Sequence, residues 1–280
     1  MSSSIQATID NPYGRSKKEA EDLLLSYSEK RSTPVYIYRL PNVFGKWCIP
    51  NYNSVVATFC YNIANSMPIT INNPDSKITL AYIDDVVAHF IDTLNGRTQQ
   101  ESVYSEISSS YTTTVGALAS LLYSFRESRN TIEIADMSDE LIKKLYATYT
   151  SYLPVDEFSY PLKMNIDDRG VFTEFIRTPD RGQISVNVSK PGITKGNHWH
   201  QTKTEKFLVV QGAGILRFRK IGTDNIIEYA ISGDKPEVVD IPVGYTHNIE
   251  NTGSGDMITV IWASEEFDPD NPDTIYEKVQ

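Results

Sequence analysis

The spacing of hydrophobic residues changes near the middle of the chain. Residues 12–31 form a lysine- and glutamate-rich stretch opened by Pro12, with Leu23, Leu24 and Tyr27 as its apolar side. That pattern predicts a helix with proline in its first turn. The β-branched and aromatic run over 35–40, after Pro34, predicts a strand. Helix, short loop and strand in that order make the repeating unit of a doubly wound α/β layer. Further helices are predicted over 54–66, 84–94, 114–128 and 138–152, with Asn95-Gly96 stopping the second of these.

Beyond Pro154 and Pro161 short apolar runs recur roughly every 8 to 12 residues, separated by Pro-Gly, Gly-Asn, Gly-Ala-Gly, Ser-Gly-Asp, Pro-Val-Gly and Thr-Gly-Ser-Gly. An antiparallel sandwich or barrel follows from that punctuation. The pairs Val186/Val188 and Leu216/Phe218, at period two, predict strands with one apolar face. The boundary falls between Ser151 and Tyr160, giving an α/β domain over 1–155 and an all-β domain over 160–280.

Composition narrows the class. With 40% hydrophobic and 22% charged residues the chain is globular rather than disordered or collagen-like. No run approaches the roughly 18 apolar residues that span a bilayer, and Met1-Ser2-Ser3-Ser4 lacks the basic-then-apolar opening of a secretory leader. A soluble cytoplasmic protein is expected. Cys48 and Cys60 are too few for a disulfide framework and have no zinc spacing, so both are read as packed thiols. Lys plus Arg number 26 against 36 Asp plus Glu, and the net charge of −10 repels phosphate backbones. Nucleic acid and membrane are therefore not expected partners.

Two groups of residues carry chemistry. Tyr13 and Lys17, four apart, share a face of the first predicted helix. A nearby ammonium favours the phenolate and lowers a pKa ordinarily about 10, which suits proton transfer at a carbonyl or hydroxyl. Alone, that spacing also fits an exposed lysine beside a half-buried tyrosine. The second group lies in Gly192-Ile193-Thr194-Lys195-Gly196-Asn197-His198-Trp199-His200, followed by Glu205 and Gly212, and in Pro242-Val243-Gly244-Tyr245-Thr246-His247 with Asn251. His198 and His200 share one strand face, Glu205 can return to it from the next strand, and His247 from a later one. Three imidazoles and a carboxylate suit Zn²⁺, Fe²⁺, Mn²⁺ or Ni²⁺, with positions left for water or substrate.

Other polar residues have plainer readings. His89 is an ordinary surface or core-edge histidine. Lys190, Lys195, Lys203 and Lys206 bracket the histidines in an acidic chain, as compensation for an anionic substrate or as plain surface. Arg217 and Arg219, alternating with Leu216 and Phe218, read as a solvated strand face, with a diphosphate clamp as the rival.

The order of these segments resembles known families. Ser2-Ser3-Ser4, Asn11-Pro12-Tyr13-Gly14, Arg39-Leu40-Pro41-Asn42-Val43-Phe44-Gly45 and Tyr82-Ile83-Asp84-Asp85-Val86-Val87 resemble the later portion of the extended short-chain dehydrogenase/reductases that act on nucleotide sugars. The resemblance makes Tyr13 the proton donor or acceptor and Lys17 its partner and a ligand of the cofactor ribose. It makes Ser4, with Ser3 beside it, the hydroxyl that orients the carbonyl, and it puts Asn42 in the substrate-contacting loop. The histidine segments resemble the two cupin motifs, with Pro236 standing where the second motif opens on glycine, and imply His198, His200, Glu205 and His247 as metal ligands. Joined through Asp167-Asp168-Arg169-Gly170-Val171-Phe172-Thr173-Glu174-Phe175, the whole resembles the F family of bifunctional capsular-polysaccharide enzymes, a reductase fused to a C-terminal zinc cupin.

That resemblance implies C3 epimerisation of a UDP-4-keto-6-deoxy-hexosamine by the cupin and NADPH-dependent reduction of its C4 ketone by the reductase, on the route to UDP-N-acetyl-L-fucosamine. It implies a UDP-sugar as substrate and a homodimer. The epimerase acid and base are sought among His200, Lys203, Lys206 and Tyr245, with His200 and Tyr245 foremost; Asn42, Lys195 and Lys206 are the expected substrate contacts. One departure is large: no Gly-x-x-Gly-x-x-Gly turn occurs in the 280 residues, and Met1 falls where the family has finished about four strands. A truncated Rossmann-like half is expected, with an exposed sheet edge and uncovered helix faces, marginally stable and unable to bind NADPH. Competing readings are a non-catalytic metal-containing sugar-binding or assembly module, and an Fe²⁺ cupin dioxygenase.

Overall fold

The computed structural model describes residues 1–98, 102–105, 107 and 109–280. The chain divides into two compact units, one of Met1–Glu127 with Asp136–Phe158, the other of Ser128–Ala135 with Ser159–Gln280.

The first unit runs β1 (Ser2–Ser4), α1 (Pro12–Arg31), β2 (Ile37–Leu40), β3 (Asn42–Phe44), α2 (Val55–Ala64), β4 (Lys77–Tyr82), α3 (Ile83–Leu94), β5 (Tyr104–Ser105), β6 (Ser110–Thr114), α4 (Val115–Thr131) and α5 (Glu140–Thr150). The end of α4 belongs with the second unit. Strands β1, β2 and β5 form a parallel sheet with β1 at its edge. In the other sheet β4 pairs parallel with β3 and antiparallel with β6. Tyr38, Ala81 and Val86 gather into one core with Leu40, Val43 and Phe90 around them.

Helix α1 packs differently from its apolar pattern. Leu23 and Tyr27 are exposed, and the helix buries Gly14 and Glu21 instead. Space demands the glycine: a Cβ at Gly14 would meet the carbonyl oxygens of Ile9 and Gln6 at 2.2 and 2.3 Å. Glu21 is 0% exposed. It accepts from Ser3 Oγ at 2.5 Å and from Arg39 Nε and Nη2 at 3.0 and 2.6 Å. The Arg39 guanidinium holds the Glu21 carboxyl below its ordinary value, against the opposing effect of burial. Glu21→Ala should therefore cost about 2–4 kcal/mol in chemical denaturation, because it leaves a guanidinium and a hydroxyl without their acceptor. A folded pKa below the unfolded one means that this contribution is complete above the ordinary carboxylate range and is lost as pH falls through the folded value. Unchanged stability in Glu21→Ala at neutral pH would contradict the pairing.

The second unit runs β7 (Met164–Asp167), β8 (Gly170–Thr178), β9 (Gly182–Ser189), β10 (Thr194–Trp199), β11 (Glu205–Gln211), β12 (Ala213–Lys220), β13 (Ile226–Ser232), β14 (Val238–Ile241), β15 (Tyr245–Asn251), β16 (Met257–Ala263) and β17 (Ile275–Tyr276). The sheets β13-β12-β15-β10-β17 and β14-β11-β16-β9-β8-β7 enclose Phe207, Val209, Leu216, Phe218, Ile249 and Met257, which makes an all-β barrel of the cupin type. Residues 132–134 add to β8 through Ile134 N–H donating to Arg177 O and Arg177 N–H donating to Ile132 O, each at 2.9 Å.

Two expectations change here. Leu216 and Phe218 are buried, but Val186 and Val188 are only half-buried, and β9 turns Gln183, Ser185, Asn187 and Ser189 inward. These polar groups are tolerated because they are bonded: Asn187 Oδ1 accepts from Lys195 Nζ at 2.7 Å, and Asn187 Nδ2 donates to Ser189 Oγ at 3.2 Å. Arg217 and Arg219 form neither a solvated face nor an open anion clamp. Arg217 is 9% exposed and pairs with Glu228 and Glu250 at 2.5 and 2.6 Å. Arg219 pairs with Glu277 at 2.8 Å and donates to the carbonyls of Thr223, Lys278 and Val279.

Candidate functional site

The histidines meet because β10 carries a bulge. Gly196 opposes Asn248 and His198 opposes His247, so Asn197 is passed over. Asn197 and Gly196 lie in left-handed backbone, at φ +61° and +103°. A Cβ on Gly196 would meet His247 O at 2.7 Å, so glycine lets β10 close on β15. His200 follows the end of β10 and Glu205 opens β11. The ring centroids of His198 and His247 are 4.6 Å apart, those of His198 and His200 5.0 Å, and those of His200 and His247 5.6 Å. Glu205 Oε2 lies 3.2 Å from His200 Nε2 and 3.4 Å from His247 Nε2. One ligand atom from each of the four residues falls within 4.8 Å of the others.

The donor set fits a divalent cation. His200 and His247 are 2% and 1% exposed. Both ring nitrogens of His247 are buried without a hydrogen-bond partner, an arrangement that costs free energy unless another acceptor of the lone pair is present. Burial and the neighbouring His247 lower His198 to about 4, so its imidazole is neutral at pH 7. Burial pushes the Glu205 carboxyl up, but His200 and His247 more than offset this and hold it well below the usual range. A neutral His198 imidazole and an ionised Glu205 carboxylate are protonation states that suit metal ligation.

A cavity of about 1110 Å³ opens onto this cluster, lined by His198, His200, Glu205, Lys203 and Arg177 among others. Lys203 is 7% exposed and donates from Nζ to Thr274 Oγ1 at 3.1 Å. Arg177 pairs with Glu174 through Nη2, while its Nε is buried without a partner. Neither arginine nor threonine stood out in the sequence, since no spacing motif contains them.

Several expected residues are not brought to the cluster. Tyr245 lines a separate hollow of about 480 Å³ with Phe218 and Pro242. Lys195 Nζ is turned to Asn187 Oδ1 and Val188 O, at 2.7 and 3.0 Å, and Lys206 pairs with Asp240 at 2.5 Å. Lys190 is exposed. His200 has both nitrogens engaged, Nδ1 with the carbonyl of Asp273 and Nε2 toward Glu205, so Nε2 is the ring nitrogen that faces the cluster.

In the first unit Ser4, Tyr13, Lys17 and Asn42 line one cavity of about 640 Å³, with the 84% exposed Trp47 at its wall. Tyr13 is half exposed, and Lys17 Nζ lies 5.5 Å from its ring centroid. Ser4 Oγ accepts from Gln6 N at 3.2 Å, whereas the Ser3 hydroxyl is spent on Glu21. Asn42 Nδ2 donates to Thr79 O at 3.1 Å. Each α-helix start among the described residues of this unit carries a side-chain cap or first-turn carboxylates. The side chains of Asn11, Ser54, Thr114 and Asp139 each accept from one first-turn amide, of α1, α2, α4 and α5 respectively, and α3 opens on Asp84 and Asp85.

Known proteins resemble both units. Residues 2–104 match the NAD dependent epimerase/dehydratase family, and residues 165–275 match the polysaccharide biosynthesis C-terminal domain. A UDP-2-acetamido-2,6-beta-L-arabino-hexul-4-ose reductase of Pseudomonas aeruginosa is 48% identical over 97% of this chain and 73% of its own length. The crystal structure of the capsular polysaccharide assembling protein CapF from Staphylococcus aureus superposes with a TM-score of 0.95 at 57% identity, covering 99% of this chain and 75% of that one. A CapF structure with the inhibitor 3-isopropenyl-tropolone gives 0.89 at 56% identity, over 92% and 75%.

Proposed function

The chain belongs to the family of the UDP-2-acetamido-2,6-beta-L-arabino-hexul-4-ose reductase and of CapF, and on that premise we propose that it modifies a nucleotide sugar of capsular polysaccharide biosynthesis, its barrel epimerising a UDP-4-keto-6-deoxy-hexosamine at C3. The observation that carries this reading is the convergence of His198, His200, Glu205 and His247 within 4.8 Å, at the wall of a cavity large enough for a sugar nucleotide. These four residues would hold a divalent ion, zinc in this reading, which would supply Lewis acidity toward a ketone oxygen.

The chemistry needs no hydride. A C3 hydrogen beside a C4 ketone leaves as a proton, its electron pair delocalises onto the ketone oxygen, and return of a proton to the opposite face inverts the centre. Lys203 and Arg177 supply the protein's own donors in this cavity. Lys203, whose Nζ donates to Thr274, and Arg177 both line the cavity, and in this reading their positive charge favours oxygens that gain negative charge. Tyr13, Lys17, Ser4 and Asn42 belong to the reductase half. This half, in our reading, does not reduce the ketone within these 280 residues because its sequence has no Gly-x-x-Gly-x-x-Gly phosphate turn. The reading also includes a homodimer and a cytoplasmic location; no helix among the described residues is long and apolar enough to cross a membrane.

The test is proton exchange. Incubated with the 4-keto sugar nucleotide in D₂O and without nicotinamide cofactor, the protein should introduce deuterium at C3 well above the enzyme-free rate, as followed by NMR. Chelation should abolish exchange if the ion stabilises developing charge, and spare it if the ion only holds the fold. Background exchange by metal-loaded protein would replace the epimerase reading with that of a non-catalytic sugar-binding or assembly module.

A further inference from the structure

The segment that follows β16 returns to the cluster through Asp273. Its carboxylate accepts from the amide of Gln201 at 2.9 and 3.1 Å, from the amides of Thr202 and Lys203 at 2.7 and 2.9 Å, and from Thr202 Oγ1 at 3.1 Å. Its carbonyl oxygen bonds His200 Nδ1. The next residue, Thr274, receives Lys203 Nζ at 3.1 Å, and Ile275 and Tyr276 pair with Trp199 and His198. Four consecutive residues therefore contact 198–203 from about seventy positions away in the chain.

A carbonyl oxygen can only accept, so the bond from His200 requires the hydrogen on Nδ1. In the neutral ring this leaves the lone pair on Nε2, the atom that faces Glu205. The loop that follows His200 presents three successive amides to one side. Without an anion there, these amides would turn to water and the ring would lose the carbonyl that orients it.

We propose that Asp273 is a positioning residue of the metal centre: its side chain fixes the 201–203 loop, and its carbonyl sets the tautomer and orientation in which His200 ligates. The proposal rests on the metal reading above and extends it to a residue outside the four ligands. Groups that orient metal-bound imidazoles typically change metal affinity 10–100-fold when removed.

Co²⁺ titration of the full chain tests it, read by visible absorption with no substrate present. Asp273→Ala should bind Co²⁺ about 10–100-fold more weakly than the unsubstituted chain, with altered absorption bands. Asp273→Asn, which keeps one acceptor oxygen, should fall between the two. Circular dichroism of the metal-free proteins identifies a variant that has not folded, and Asp273→Asn then carries the comparison alone. A folded Asp273→Ala with affinity within about twofold of the unsubstituted chain and the same bands overturns the positioning role, as does a folded Asp273→Asn that matches the unsubstituted chain when the alanine variant is unfolded. Absence of Co²⁺ binding by the unsubstituted chain would overturn the metal reading itself, and the proposal with it.

Discussion

The unsubstituted protein should carry about one divalent ion per chain, and replacing His198 and His247 together by alanine should remove it. Two of four donors disappear, and the remaining pair, His200 Nε2 and Glu205 Oε2, is a 3.2 Å contact between two side chains. The effect extends to stability. An ion present at about 1,000 times its dissociation constant stabilises the folded state by about 4 kcal/mol, and a barrel of this size should then lose on the order of 10 °C in melting temperature on chelation. The double variant should be insensitive to chelator, since it has no ion to lose. It should also be less stable than the metal-free unsubstituted chain, because Glu205 keeps a buried carboxylate with one imidazole beside it rather than three. Elemental analysis and melting with and without chelator check both points. Full occupancy in the double variant would refute this ligand set.

Much of the architecture was legible because two periodicities carry it. Helix α1 begins at Pro12 and ends at Arg31, the limits that its polar stretch and first-turn proline implied. Ser54 caps α2, and Asn95 caps α3 at its C-terminus. In the barrel, turn residues marked most strand ends. The assignment of faces was less secure. Leu23 and Tyr27 look like the inner side of α1 only if apolar means buried, whereas the helix is held by Glu21, a residue that composition alone puts on the surface. The same inversion occurs in β9, whose inward face is polar: the lumen leading to a metal-type cavity is hydrogen-bonded rather than greasy, so period-two valines marked the wrong face.

At the site, the four converging donors were legible because strand geometry ties them to short spacings around two turns. His198 and His200 lie two apart, and His247 reaches them through direct pairing of β10 with β15. The groups around them were not legible. Asp273 makes its contacts through a carboxylate on backbone amides and through a main-chain carbonyl, Thr274 through a hydroxyl and Arg177 through a guanidinium, and none of these sits in a residue-type pattern. Tyr245 had the opposite fate. It sits two residues before His247 and shares its strand, yet it lines another hollow and packs against the apolar cluster that holds Phe218.

NADPH should produce no binding heat with this 280-residue chain in calorimetry, and no shift in melting temperature. The groups that face the nicotinamide end in the reductases it resembles are present: Tyr13, Lys17 and Ser4 share one cavity. These are few contacts, and the dinucleotide's charge lies at its phosphates. Binding those phosphates takes backbone amides at an unoccupied helix N-terminus, often with glycine so that the backbone can approach. Here one first-turn amide in each of α1, α2, α4 and α5 already bonds to Asn11, Ser54, Thr114 or Asp139, and α3 begins with two aspartates that repel phosphate. The magnitude makes the test decisive. A ligand with a dissociation constant of about 1 μM, present at about 1 mM, would stabilise the fold by about 4 kcal/mol, which a melting curve resolves without difficulty. A flat isotherm and an unmoved transition are expected, both for the unsubstituted chain and for Tyr13→Phe. Micromolar binding that weakens in Lys17→Ala would mean that the residues of the first unit hold the cofactor unaided, and the cupin would then share the chain with a working reductase.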